Sequence, residues 1–147
     1  MGRSSGIRLN LNGFDDLLSQ IEKAGGTIDQ AADACLRKSA QIMHDELETQ
    51  MRAAKVDSGL INRMPAPEVE KSGNRYSARV GYKKGSYNPQ DPSDAYKVVF
   101  LNYGTPHRTL HGKITARGFI QKAKKKASPQ IKKQQQQTLD DILEGLK

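Results

Sequence analysis

The sequence predicts a single α+β domain, with a long N-terminal helix and a C-terminal helix packed on a small, mostly antiparallel β-sheet. Three observations carry that expectation. Apolar residues recur at three- and four-residue steps from Ile28 to Ala54, the period of one helix face. Residues 75–82 alternate instead: Tyr76, Ala78, Val80 and Tyr82 share one side and Arg75, Ser77 and Arg79 the other, the period of a half-buried strand. A second helical run, Ile131, Leu139, Ile142, Leu143 and Leu146, closes the chain. A length of 147 residues suits one core, large enough to hold without disulfides or a structural metal. The core is thin, since hydrophobic residues make up 35% and aromatics 5%, with no Trp. Part of the burial is therefore expected from a partner.

Phe14, Leu17, Leu18 and Ile21 give a short first helix over 14–24, stopped by Gly25-Gly26. Thr27 and Gln30 have the spacing of a capping box and open the long helix, 27–54. Its stripe is Ile28, Ala31, Ala32, Cys35, Leu36, Ile42, Met43, Leu47, Met51 and Ala54. At 1.5 Å per residue it is about 40 Å long, the spine of the domain. Pro65 and Pro67 bar helix from the next stretch. A hairpin follows over about 68–82, turning at Ser72-Gly73-Asn74, and then an exposed loop, 83–94.

Residues 95–103 (AYKVVFLNY) are predicted as a strand apolar on both faces, with Val99, Leu101 and Tyr103 opposite Tyr96, Val98 and Phe100. Such a strand needs cover on both sides, one from the long helix and the other from a neighbouring subunit. A loop over 104–118 leads to a C-terminal helical region, 119–146. Within it Ser128-Pro129 reads as an N-cap with proline at the first helical position, and the Gln134–Gln137 run as a solvated face.

No segment offers a reactive constellation. His107 and His111 are four apart, but Gly104, Pro106 and Gly112 place them in a loop without a nearby carboxylate. His44-Asp45-Glu46 lacks the second histidine of a zincin and reads as a surface histidine. Gly104 to Lys113 has seven residues between its glycines and Ile114 after the lysine, so it is not a phosphate-binding loop. Ser58 lacks the preceding glycine of a nucleophile elbow. Cys35, the one cysteine, lies on the apolar stripe as a small core filler and can form no internal disulfide. The expectation is a protein with no catalytic residues, no cofactor and no metal, hence not an enzyme.

Lys and Arg number 24 against 16 Asp and Glu, a net charge of +8. Residues 95–139 hold ten Lys or Arg and no acid, so all of the excess lies there. Lys113, Arg117, Lys122, Lys124, Lys125 and Lys126 are the candidates for contact with DNA or an acidic partner. Aromatics do not interleave with these lysines as single-strand binding wants, which favours a solvated helix face paired with another protein. The longest aliphatic or aromatic run, Val98 to Leu101, is far short of the roughly 20 residues of a membrane span. The N-terminus shows neither a secretory h-region nor a myristoylation motif, so the chain is expected in the cytoplasm and not at a membrane.

Two stretches together resemble a known family. Val56-Asp57-Ser58-Gly59-Leu60, directly after a long helix, resembles the V-D-[ST]-G-x-L segment of the HK97 gp10-like proteins of tailed bacteriophages. Residues 95–105, ending Tyr103-Gly104-Thr105, are similar to that family's aromatic-Gly-Thr signature. Ala116-Arg117-Gly118-Phe119-Ile120 stands where the family has Ala-Arg-Pro-Phe-Leu before its C-terminal helix. Gly118 thus replaces a proline, and Gln121-Lys122-Ala123 stands where Arg-Pro-Ala is common. The order and spacing of these parts cover nearly the whole chain.

The resemblance implies a structural virion protein, a tail-completion or neck subunit that forms a ring, commonly six-fold, at the head–tail junction. Its partners would be copies of itself, a head-side connector or stopper protein, and the tail tube or tail terminator, with transient contact to packaged DNA. It would reside in the virion, and in the host cytoplasm before assembly. Phe100, Tyr103, Gly104, Thr105, Phe119 and Ile120 are the candidate subunit or partner contacts, with the 83–94 loop reaching to a neighbour. The rivals are a tail terminator capping the tube, a basic DNA-binding protein using Lys113 to Lys133 and, more weakly, a toxin-like nuclease using His107 and His111.

Overall fold

The computed structural model describes residues 6–73, 75–83, 93–104 and 114–147. Its elements are β1 (Gly6–Asn10), α1 (Asp15–Lys23), α2 (Ile28–Ala53), α3 (Ser58–Asn62), β2 (Glu68–Ser72), β3 (Arg75–Gly81), α4 (Asp94–Tyr103) and α5 (Phe119–Gly145). The class is α+β: long helices packed on one antiparallel sheet in the order β1-β3-β2.

Central β3 pairs Ala78 with Leu9 of β1 and with Val69 of β2, while Val80 faces Ile7. Because side chains alternate across a strand, these residues share the face toward α2, and Ile7, Ala78 and Val80 are buried. Arg8, Arg79 and Glu68 line up on the other face. β1 was not expected from the sequence. It offers only Ile7 and Leu9, too short an alternation to stand out from its surroundings.

α2 is the spine. Along it Ala32, Cys35, Leu36, Ala40, Met43, Leu47 and Met51 are buried, and it packs on α5, on all three strands and on α1 and α3. Thr27 occupies its N-cap position, but the Thr27 side chain makes no capping hydrogen bond, so the expected capping box is not closed. Asp29 in the first turn supplies favourable negative charge instead. Asp29 also accepts hydrogen bonds from the Tyr76 hydroxyl and, at 3.0 Å, from Lys71 Nζ, tying the hairpin to the helix. Those two donors hold the Asp29 carboxyl below its usual pKa. At the far end Val56 N–H donates to Met51 O and Lys55 N–H to Arg52 O, both at 3.0 Å, the paired bonds of a Schellman ending. Lys55 takes the left-handed position at φ +59°, and it is the one non-glycine among the described residues with positive φ.

Three expectations are corrected. Residues 95–103 are not a strand. Asp94–Tyr103 is a helix, with Ser93 at its N-cap position and Gly104 after its last residue. Nearly every side chain there is apolar, so two-residue alternation fits as well as any period. The inward set Ala95, Val98 and Asn102 follows the three- and four-residue steps of a helix. Ser128-Pro129 does not start the C-terminal helix. α5 begins at Phe119 and runs through Pro129, which lies on its exposed side while Ala123, Ala127 and Ile131 hold both halves against the core.

The glutamine run is not simply solvated either. Gln135 is 5% exposed and donates to Asn10 O at 3.1 Å and to Ser39 Oγ at 3.2 Å. Ser39, fully buried on α2, is also bonded to Gln134 Oε1 at 2.7 Å and to Cys35 O at 2.9 Å. A polar cluster thus fixes the register of the two long helices, because any slip would leave buried polar groups unpaired. Gln136 and Gln137 are exposed. Of the 83–94 loop, residues 84–92 lie outside the described residues, as do 105–113 of the 104–118 loop.

Candidate functional site

The C-terminus of α4 meets the start of α5 in a dense set of backbone contacts. Asn102, 1% exposed, accepts a hydrogen bond from Ile120 N–H on its Oδ1 at 2.8 Å, capping α5 from another helix. Leu101 O and Asn102 O accept from Arg117 N–H at 3.0 Å and Gly118 N–H at 2.9 Å. Gly104, at φ +74°, lies so close to the returning chain that a Cβ would sit 2.7 Å from Ala116 N and 2.8 Å from Ile114 O. Both the left-handed backbone and the contact exclude a side chain there. Gly118 turns the chain into α5 at φ +64°. Proline, locked near −65°, cannot take that conformation, so the start of α5 differs here from the proline pattern of the phage family.

The end of α2 is drawn to the same place. Arg117 Nη1 donates to Ala54 O and Lys55 O at 3.3 and 3.4 Å, supplying positive charge at the α2 C-terminus. Beyond that turn Val56 is buried, and Asp57 caps α3 by accepting from Leu60 N–H at 3.1 Å. Leu60 O accepts from the buried Tyr82 hydroxyl at 2.6 Å, and burial pushes the Tyr82 pKa up. Arg63 closes the group with two bonds to the Asp94 carboxylate, at 2.9 and 3.2 Å, joining α3 to the first turn of α4.

From this junction α4 presents a second stripe outward. Tyr96, Val99, Phe100 and Tyr103, at steps of three, one and three, are all partly exposed and lie outside the core, with the rings of Tyr96 and Phe100 6.4 Å apart. On α5 the exposed lysines Lys122, Lys124, Lys125, Lys126, Lys132 and Lys133 begin two residues beyond Ile120, where Asn102 caps the helix. Among the described residues none of the six has a carboxylate within 4.0 Å, and α5 has no acid in its first turn.

The candidate contact residues therefore separate. Phe100 and Tyr103 belong to the outward stripe of α4, and Gly104 is a backbone crossing point. Phe119 and Ile120, at 0% and 1% exposure, lie in the chain's own core and are not available to a partner. The expected N-cap at Ser128-Pro129 lies well inside α5, so the inward side of residues 119 and 120 was not read from the helical period. Arg117 is spent on the α2 C-terminus, while Lys122, Lys124, Lys125 and Lys126 remain at the surface. Thr105, His107, His111 and Lys113 lie outside the described residues.

Asn102, Tyr96 and Val99 were missed. Ser93-Asp94 before the segment and Gly104 after it, which are helix start and stop signals, could have exposed all three.

Cys35 is buried, and desolvation pushes its thiol up to about 11. His44 is half-buried rather than a plain surface histidine, and together with Asp45 and Glu48 it places three ligand-type atoms within 4.8 Å of one another. Both carboxylates there are already engaged, Asp45 by Gln41 and Glu48 by Arg52, at 2.8 and 2.7 Å. Among the described residues no helix is long and apolar enough to cross a membrane. No protein-family model, curated protein or solved structure matches the chain.

Proposed function

We propose that this chain is a structural subunit of a tailed-phage neck, a tail-completion or head–tail joining protein of the HK97 gp10-like kind that acts as a ring. One observation carries the reading. The stretches that resemble the family are far apart in sequence, yet Gly104 packs on Ala116 and Arg117 bonds the carbonyls of Ala54 and Lys55, directly before Val56. Arg117 thereby holds the end of α2, and Asn102 caps α5. Residues that share a structural knot are constrained as a set, which is how short signatures keep their order and spacing.

The activity of such a protein is assembly. A ring closes through a heterologous interface, one surface of a subunit meeting a different surface of the next. The partly exposed stripe of Tyr96, Val99, Phe100 and Tyr103 includes three aromatic residues, a type enriched in interface centres. Copies of this chain, commonly six, would form a ring whose two faces dock a head-side connector or stopper and the tail tube or its terminator.

The test is the mass of the purified full-length protein by native mass spectrometry, alone and mixed with phage tails, with negative-stain images of the product. Ring-shaped oligomers, formed alone or on tail ends, are expected. A protein that stays monomeric in both settings would overturn the proposal. A second reading, a basic DNA-binding protein, is favoured by the six exposed lysines of α5, which have no carboxylate partner among the described residues. It requires duplex DNA affinity that falls steeply with salt.

A further inference from the structure

α5 carries its charge in two blocks on one outward row. Lys122, Lys126, Lys133, Asp140 and Glu144 follow one another at steps of four, seven, seven and four, which keeps them on the same side of a helix. All five are exposed, opposite the buried Ala123, Ala127, Ile131 and Thr138. Lys125 and Lys132 flank the basic end and Asp141 the acidic end. The sign of the row changes once, between Lys133 and Asp140, a rise of about 10 Å.

This arrangement opposes the helix. Lys122 stands in the first turn and Glu144 in the last, the ends where the macrodipole disfavours a cation and an anion respectively. Nor do the blocks satisfy themselves. The lysines have no carboxylate within 4.0 Å among the described residues. Asp140 and Asp141 accept only from the neutral side chains of Gln136 and Gln137, and Glu144 has Lys147 at 3.7 Å. Charge that costs helix stability and has little internal use points outside the molecule. Duplex DNA lying along the row would meet Asp140 about 10 Å and Glu144 about 16 Å beyond Lys133, within about one to two Debye lengths. A second copy of the same chain has the complementary ends.

We infer that the basic start of α5 in one subunit docks against the acidic end of α5 in the next. The inference rests on the ring reading for its head-to-tail geometry. A heterologous contact of this kind leaves a basic end open at one growing edge and an acidic end open at the other until the ring closes.

Sedimentation velocity on the full-length protein, in low and high salt, tests it with two surface variants whose folding is checked by circular dichroism. One carries Lys126→Glu with Lys133→Glu, the other Asp140→Lys with Glu144→Lys. Each variant alone is expected to self-associate at least about tenfold more weakly than the unaltered chain. An equimolar mixture of the two is expected to regain assembly, because a mainly acidic row and a basic row can alternate. Assembly of every variant at unaltered strength would overturn the inference while leaving the ring intact. Charge-dependent dimers would keep the contact and overturn the ring. Variants that lose affinity for duplex DNA in a mobility-shift assay while assembling normally would assign the lysines to nucleic acid and overturn the inference.

Discussion

α2 and α5 have nearly the same length, 26 and 27 residues, and pack against each other, yet they treat charge in opposite ways. α2 satisfies itself. Asp33 pairs with Arg37 and Glu48 with Arg52, each at 2.7 Å and four residues apart, while Asp29 stands in its first turn and Arg52 in its last. α5 has neither arrangement, and Lys122 in its first turn and Glu144 in its last stand where the dipole disfavours them. The difference separates a helix completed by its own chain from one whose outer face is left for something else.

The sharpest way to break that comparison is at the inner face of α5, where the two helices should behave alike. Phe119→Ala is expected to cost about 3–5 kcal/mol in chemical denaturation, as for any buried aromatic. A change within about 0.5 kcal/mol would return Phe119 to the surface and to a partner. Next in size is the polar cluster between the helices. Ser39→Ala should destabilise by about 1–3 kcal/mol by removing the donor to Gln134 Oε1 and one of the two acceptors of Gln135 Nε2. Combining it with Gln135→Leu should recover part of that loss in a double-mutant cycle.

The helix ends sharpen the contrast further. Lys55→Gly at the end of α2 should raise stability by about 1 kcal/mol, because glycine takes a φ of +59° without the Cβ penalty. Lys122→Glu at the start of α5 should raise it by about 0.3–1 kcal/mol, read as a higher melting temperature. In the proposed ring the same change weakens assembly, so stability and assembly should move in opposite directions.

The smallest effect is the mirror substitution, Asp29→Asn at the start of α2. Its carboxyl is held below the usual pKa by Tyr76 and Lys71. The stability this confers is fully present above the unfolded-state pKa and is lost as pH falls through the lowered folded-state value. Urea denaturation at neutral and acid pH should therefore show a shallower acid loss in the variant than in the unaltered chain.

The helical segments α1 and α2 and the β2–β3 hairpin were legible from periodicity because each has one wet and one dry face. β1 was not, having two apolar residues and no length. α4 was misread because nine residues with apolar side chains on every side fit both periods. At the candidate site, Phe100 and Tyr103 were singled out from the sequence and are partly exposed, but they belong to a helical stripe with Tyr96 and Val99 and not to a strand. The basic block was legible as composition. Its division into a capping arginine and a free lysine row was not, since Arg117 and Lys122 are five residues apart and differ only in what lies near them.

The sequence by itself determined the fold class, the length and inner face of α2, the alternation of the hairpin and the concentration of positive charge near the C-terminus, because periodicity and composition are local. Only the tertiary structure decided that residues 95–103 are helical, that Phe119 and Ile120 are core, that Gln135 is buried and that Arg117 caps α2. Each depends on a contact between segments distant in the chain, where burial and unpaired polar groups outweigh local preference.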